Sequence, residues 1–177
     1  GIGLALDYFS DAIQDAEMRM IFTTAARRNV PVFVHIRRGI DGDPSGLREV
    51  LALAAEHRTA LHIAHITHNA ISNLDVFLDE ISQARQAGVD VTTEVLPYNA
   101  GSALISSAVF GRDWQTIFNI TYEDVEWAAT GQRFNEALWN EYYEKYPDGQ
   151  VIHHYLKEEW TQQAVQTPDV IIVSDLL

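Results

Sequence analysis

Short runs of apolar, often β-branched residues alternate along the chain with longer segments in which apolar residues recur at helical spacing. Runs of the first kind are typical of strands, and segments of the second kind are typical of helices. The predicted strands are 1–6, 30–36, 60–66, 89–95, 151–156 and 170–173. The predicted helices are 10–28, 45–57, 72–87, 122–130, 132–146 and 158–166, with a long irregular stretch over 99–111.

Strands that alternate with helices through short connections indicate βαβ units and a parallel sheet. The strand runs are continuously apolar, which favours strands covered on both faces. Six strands are too few for a full eight-stranded barrel. We therefore expect an α/β fold in which one parallel sheet is flanked by helices. At the start of the first helix, Ser10 or Asp11 is the expected N-cap.

The composition excludes several classes of function. The 177 residues carry 25 acidic and 12 basic side chains, a formal charge of −13, with no basic cluster for a nucleic-acid backbone. No apolar stretch approaches the roughly 20 residues that a membrane helix needs. The chain contains no cysteine, which excludes disulfides and thiolate metal sites and suits a reducing compartment. We expect a cytoplasmic protein with no nucleic-acid or membrane partner.

Two histidines and an aspartate share one position relative to their strands. His35 and His65 each come at the end of a β-type run, and Asp175 follows the last run. The carboxyl ends of parallel strands lie at one rim of a sheet, so these side chains should converge. Two neutral imidazoles and a carboxylate suit zinc or another divalent metal with an open position for water. The alternative for Asp175 is a simple helix cap after the strand.

Other polar residues are weaker candidates. His62 and His68 are expected to be polar surface residues, and His57 closes a helix. Of the adjacent His153 and His154, one should point inward and the other outward. Tyr98 and Ser102 follow another strand end, where a phenol and a hydroxyl could hold a substrate, although Tyr98 could equally pack beneath the loop. Trp114, Trp127, Trp139, Tyr142 and Tyr143 are expected to be helix packing.

Four short motifs follow one another along the chain: Val34-His35-Ile-Arg37, Leu61-His-Ile-Ala-His65, Leu96-Pro-Tyr98-Asn-Ala-Gly-Ser102 and Val173-Ser-Asp175. Together they resemble the N-acyl-D-amino-acid deacylases, which are metal-dependent (β/α)₈ barrels of the amidohydrolase superfamily. The resemblance rests on the order and spacing of the motifs over nearly the whole chain. The opening 1–6 also looks like that family's fourth barrel strand.

The resemblance implies strands four to eight of the barrel, its C-terminal part, as one partial domain over 1–177 truncated at both ends. It makes His35 and His65 metal ligands and Asp175 the catalytic aspartate, with zinc or another divalent metal as cofactor. The substrate would be a small N-acyl amino acid held near Tyr98, Ser102 and Arg37.

Open sheet edges in such a partial barrel predict a homo-oligomer. Thr67 stands where that family commonly has a lysine, which leaves room for another cyclic-amide hydrolase of the superfamily, such as a dihydropyrimidinase-like enzyme or an imidase. A further alternative is a catalytically inactive chain that acts as an assembly module.

Overall fold

The computed structural model describes residues 1–9 and 12–175, so the predicted caps Ser10 and Asp11 lie outside the described residues. The chain forms two compact units. One is Gly1–Pro97 with Glu159–Leu177, and the other is Tyr98–Glu158. This division describes packing alone, and the expectation of one partial barrel domain over 1–177 stays a prediction.

The secondary structure follows the predicted alternation over most of the chain. The strands are β1 (Ile2–Ala5), β2 (Val32–His35), β3 (Leu61–Ile63), β4 (Val91–Val95), β5 (Gly101–Leu104), β6 (Val125–Trp127), β7 (Gln132–Arg133), β8 (Gln150–His153) and β9 (Val170–Ile172). The α-helices are α1 (Leu6–Phe9), α2 (Asp15–Arg28), α3 (Ser45–His57), α4 (Ile66–Ala70), α5 (Leu74–Gln86), α6 (Trp114–Phe118), α7 (Glu136–Lys145) and α8 (Glu158–Gln166). Short 3-10 helices cover Ile40–Gly42, Ile71–Asn73 and Tyr122–Asp124.

The first unit contains a five-stranded parallel sheet in the order β1-β2-β3-β4-β9. Its register aligns Val32 with Leu61, and Leu61 with Val91. Because every strand runs in the same direction, the residues that follow the five strands lie at one edge, here called the carboxyl rim. None of the described helices is long and apolar enough to cross a lipid bilayer.

One face of the parallel sheet packs on helices. Val32 and Val34 of β2 are fully buried in the core, and α2 contributes Met18, Phe22 and Ala25, which recur at helical spacing. Phe33, between the two valines, is 45% exposed. The expectation of strands covered on both faces is therefore wrong for β2, because the described residues leave nearly half of Phe33 exposed.

The second unit contains an antiparallel sheet in the order β5-β8-β6-β7. Its core is aromatic, and the ring of Phe110 lies 5.1 Å from Trp139 and 5.2 Å from His153 between centroids. Trp127 lies on β6 rather than on a helix, and its ring centroid is 5.0 Å from that of Tyr142. Packing of the aromatic residues is confirmed for Trp127, although the predicted element is wrong.

The structure corrects several predicted elements. The strand predicted over 151–156 is β8 of the antiparallel sheet, so the parallel sheet has five strands rather than six. The irregular stretch 99–111 contains β5, and the helix predicted over 122–130 is a 3-10 turn followed by β6. Strands β5 and β6 both pair with β8, which is distant in the sequence, and local periodicity does not reveal such pairing. The predicted bounds are correct for two helices, 45–57 and 158–166.

Candidate metal and catalytic site at the carboxyl rim

His35 is the last residue of β2, and the alternation of the strand directs its side chain away from the face that buries Val32 and Val34. The side chain is 13% exposed. Its ring lies edge-on to two others, with centroid distances of 5.0 Å to Tyr8 and 4.4 Å to His65. His35 and His65, on neighbouring strand ends, are therefore in direct contact at the carboxyl rim.

His65 occupies an unusual backbone conformation between β3 and α4. Its φ of 31° and ψ of 66° lie in the left-handed region, which residues other than glycine and asparagine seldom adopt. Asn69 supports this turn, because its side-chain amide donates to the carbonyl oxygen of Ala64 at 3.1 Å. Non-glycine residues in such conformations concentrate at functional sites, and here the turn brings the imidazole next to His35.

Burial keeps both imidazoles neutral. It lowers the pKa of His35, and the Asp7 carboxylate and the charge of Asp175 oppose that shift without reversing it. Burial lowers the pKa of His65 further, well below 6.5, with added repulsion from His35 and His68. A neutral imidazole has a free lone pair, which is the form that binds a metal. At neutral pH the two rings are thus in the form suited to metal ligation.

Asp175 lies at the same rim as the two histidines, as its position in the sequence predicted. It is three residues past β9, is exposed, and has a φ of 52°. Its charge is close enough to affect the pKa of His35. The predicted placement of His35, His65 and Asp175 at one rim of one parallel sheet is therefore confirmed, while the role of each residue stays a prediction.

The three predicted substrate-binding residues differ from one another in their contacts and exposure. The guanidinium of Arg37 donates to Glu49 at 3.1 Å and to the carbonyl oxygen of Ile13 at 3.0 Å, so these contacts hold it in place. Tyr98 is 43% exposed, and Ser102 is exposed on β5, both in the second unit. None of these positions tests substrate binding, and all three assignments stay predictions.

Sequence reasoning missed two residues of the rim, Asp7 and Arg38. The Asp7 side chain is fully buried two residues after β1, with Oδ2 3.4 Å from Nε2 of His35 and 3.8 Å from the Arg38 guanidinium. The Arg38 side chain is only 4% exposed. The signal that found Asp175, a carboxylate after a strand, also applies to Asp7 and could have found it.

Four further histidines can be compared with the sequence-based expectations. His68, predicted in a loop at the surface, lies on α4 and is 6% exposed, with its ring 5.4 Å from His65. His62, also predicted at the surface, has a largely buried side chain whose ring nitrogens contact Thr92 at 2.7 Å and Glu94 at 2.9 Å. In the second unit, His153 is the buried member of its pair and His154 the exposed one.

The described residues fit a divalent metal only as part of its ligand set. His35 and His65 offer two adjacent, buried, neutral imidazoles. Within residues 1–9 and 12–175, however, no group of three or more histidine, aspartate or glutamate side chains is arranged to hold one metal ion. Hydrolytic zinc usually has three protein ligands and a water. The rim therefore has the donor chemistry of such a site without a complete ligand set.

No protein-family model matches the sequence, and the search of curated proteins found no match. The fold, in contrast, has clear counterparts among solved structures. An N-acyl-D-glutamate deacylase from Bordetella bronchiseptica, complexed with zinc and a phosphonate inhibitor, matches with a TM-score of 0.72 and 21% identity over 90% of this chain. A D-aminoacylase matches with a TM-score of 0.75 and 15% identity over 97% of this chain. The chain has the fold of part of a D-aminoacylase.

The shared fold covers only part of each matched protein. The chain spans 35% of the N-acyl-D-glutamate deacylase and 38% of the D-aminoacylase. A D-aminoacylase variant in complex with copper chloride matches similarly, with a TM-score of 0.76 and 16% identity over 97% of this chain and 38% of that one. The predicted α/β fold, a parallel sheet with flanking helices, is confirmed, and it matches part of the fold of each of these proteins.

Proposed function

We propose that this chain contributes part of the active site of a metal-dependent amidohydrolase that removes the acyl group from N-acyl-D-amino acids. The observation that carries the proposal is the contact between two largely buried, neutral imidazoles, His35 and His65, at the carboxyl rim that also holds Asp175. The matched proteins with this fold are deacylases of D-amino acids, one of them with bound zinc.

His35 and His65 would hold zinc or another divalent metal. When bound, such a metal lowers the pKa of a water and polarises the acyl carbonyl. His35 comes from the end of β2 and His65 from the turn after β3, so a neighbouring pair of strands sets their separation. Since the described residues supply two ligands, we expect this chain to bind the metal more weakly than a three-ligand site does.

Asp175 would move the proton. Exposed at the rim, its carboxylate is open to solvent and substrate, and it can accept a proton from the attacking water. The same carboxyl group can return that proton to the amide nitrogen as the C–N bond breaks. The products are a carboxylate from the acyl group and the free amine of the amino acid, so a single residue acts as base and then as acid.

Substrate binding is proposed for Tyr98, Ser102 and Arg37. A phenol and a hydroxyl can donate hydrogen bonds to a carbonyl or carboxylate, and an exposed position leaves Tyr98 and Ser102 accessible. Arg37 would have to exchange its contact with Glu49 for the substrate carboxylate. Comparing substrate binding by Arg37→Gln and by wild type therefore tests whether this guanidinium binds substrate or only holds neighbouring segments together.

Metal content decides between this proposal and an inactive assembly module. The purified chain is expected to contain or take up a divalent metal, which His35→Ala should lose. An assembly module predicts no bound metal in either protein. Hydrolysis of a cyclic amide such as dihydrouracil, with no release of amino acid from N-acetyl-D-methionine or N-acetyl-D-glutamate, would support the alternative cyclic-amide hydrolase.

The 177-residue chain alone is expected to be inert toward these substrates, because two histidines are an incomplete ligand set. The assay is release of free amino acid from N-acetyl-D-methionine and N-acetyl-D-glutamate with added Zn²⁺. Turnover that Asp175→Asn abolishes would show that the chain carries a complete site, and that the argument from missing ligands is wrong.

A further inference from the structure

Asp7 lies where it can control the orientation of His35. Its side chain is fully buried, and its Oδ2 is 3.4 Å from Nε2 of His35. Arg38 contacts the same carboxylate, because its backbone N–H donates to Oδ1 at 3.3 Å and its guanidinium lies 3.8 Å from Oδ2. The imidazole of His35 and the buried cation of Arg38 thus both restrict the position of the carboxylate.

A carboxylate at this distance distinguishes the two nitrogens of a neutral imidazole. Such a ring carries one N–H and one lone pair, and either nitrogen can hold the proton. The negative oxygen attracts an N–H at Nε2 and repels a lone pair there. Low local polarity strengthens this preference, because both side chains are buried. The expected form of His35 therefore has its proton on Nε2 and a free lone pair on Nδ1.

Neighbouring rings restrict the imidazole from other directions. Tyr8 packs edge-on against His35 with an interplanar angle of 67°, and His65 does so with an angle of 77°. A flip of the ring about χ2 would place a carbon atom where Nε2 contacts Asp7, and a smaller rotation would tilt the ring away from both edge-on packings. The position of Asp7 and these two contacts together favour a single ring orientation.

We propose that Asp7 is a positioning residue, which fixes His35 in one orientation as the Nε2–H tautomer and so leaves Nδ1 free to bind a metal. The importance of this for metal binding rests on the proposed function, whereas the tautomer itself does not. Carboxylates that bind a ligating histidine typically account for about 10- to 100-fold in metal affinity.

The test is the protonation pattern of the His35 ring in the metal-free chain, read by long-range ¹H–¹⁵N NMR above neutral pH with His35→Gln to assign the signals. Wild type should show His35 protonated at Nε2 alone. Asp7→Asn should show both tautomers, because the amide can accept from an N–H or donate to a lone pair. Asp79→Asn makes the same chemical change at an exposed position on α5 and should leave the pattern unchanged.

A wild-type ring protonated at Nδ1, or a single Nε2–H tautomer that persists in Asp7→Asn, would overturn the proposal. If Asp7→Asn does not fold, the smaller Asp7→Ser replaces it. If neither folds, the wild-type spectrum decides, since a mixture of tautomers overturns the proposal.

A Zn²⁺ titration of the folded variant should then show an affinity about 10- to 100-fold below wild type. Absence of zinc binding in wild type contradicts the proposed function but leaves the tautomer result valid.

Discussion

The contact between Gly42 and Ala70 offers a quantitative test of how the carboxyl rim is held together. Gly42 ends the 3-10 helix that follows β2 and has a φ of +71°, and a Cβ atom there would overlap the carbonyl oxygen of Ala70. Ala70 ends α4, the helix that begins directly after His65. The Gly42→Ala substitution therefore forces apart the two segments that follow His35 and His65. Gly88→Ala is a matched control, because Gly88 has a φ of +88° and a Cβ there would meet nothing within 4 Å beyond its chain neighbours.

The expected difference in the free energy of unfolding follows from this geometry. Both substitutions place an alanine in the left-handed region, which costs about 1–2 kcal/mol. Both also reduce the entropy of the unfolded chain, which offsets about 0.4–1 kcal/mol. Only Gly42→Ala adds overlap with a backbone oxygen, and overpacking of this kind typically costs about 1–3 kcal/mol. Gly42→Ala should therefore destabilise the chain by about 1–3 kcal/mol more than Gly88→Ala does.

Urea unfolding followed by circular dichroism measures this difference, provided that the slope against urea concentration is the same in both variants. The imidazole NMR signals of His35 and His65 give a second readout, and they should shift in Gly42→Ala while staying in place in Gly88→Ala. Equal destabilisation by the two substitutions, with unchanged histidine signals, would refute the close contact between these two rim segments.

Three further predictions concern stability and assembly. Because burial holds the pKa of His65 well below 6.5, the unfolded chain binds more protons than the folded one in acid. Stability of the metal-free chain should thus fall as the pH drops below about 6.5, and His65→Gln should weaken that dependence; an unchanged profile would contradict it. Phe77→Ala should lower the free energy of unfolding, measured in urea, by about 3–5 kcal/mol, because Phe77 is buried on α5. Val76→Ala, at the exposed neighbouring position, should lower it by less than about 0.5 kcal/mol, and similar losses in the two variants would argue against the packing of α5. The exposed apolar side chains of Phe33 and Ile171 predict that the chain self-associates, and Phe33→Ser should reduce the self-association seen in sedimentation. A stable wild-type monomer at micromolar concentration would contradict this prediction.

The placement of the candidate site could be predicted from the sequence because it depends on strand ends. A parallel sheet puts every carboxyl end at one edge, so recognising three strands was enough to place His35, His65 and Asp175 together. Their contacts could not be predicted in this way. The direct packing of His35 against His65 depends on the left-handed turn at His65, and nothing in the local pattern around that residue indicates such a turn.

The second unit was largely missed because its strands are short and, apart from the local β6–β7 pair, join segments that are far apart in the sequence. β6 has three residues and β7 has two, which is too few for an alternating pattern. The residues of β6, Val125-Glu-Trp127, were therefore predicted as part of a helix. Asp7 was missed for a different reason. It follows β1 as Asp175 follows β9, but it lies directly after an apolar run that was interpreted only as a strand.

A Zn²⁺ titration of the metal-free chain, followed through the ring nitrogens of its histidines, tests the central claim most directly. The account predicts that the signals of His35 and His65 change together with a single dissociation constant, and that His35→Ala or His65→Ala removes the response. His154→Ala, at an exposed position in the second unit, should leave it intact. Zinc that leaves both rim histidines unaffected, or that binds equally well after either is replaced, would contradict a metal site at the carboxyl rim.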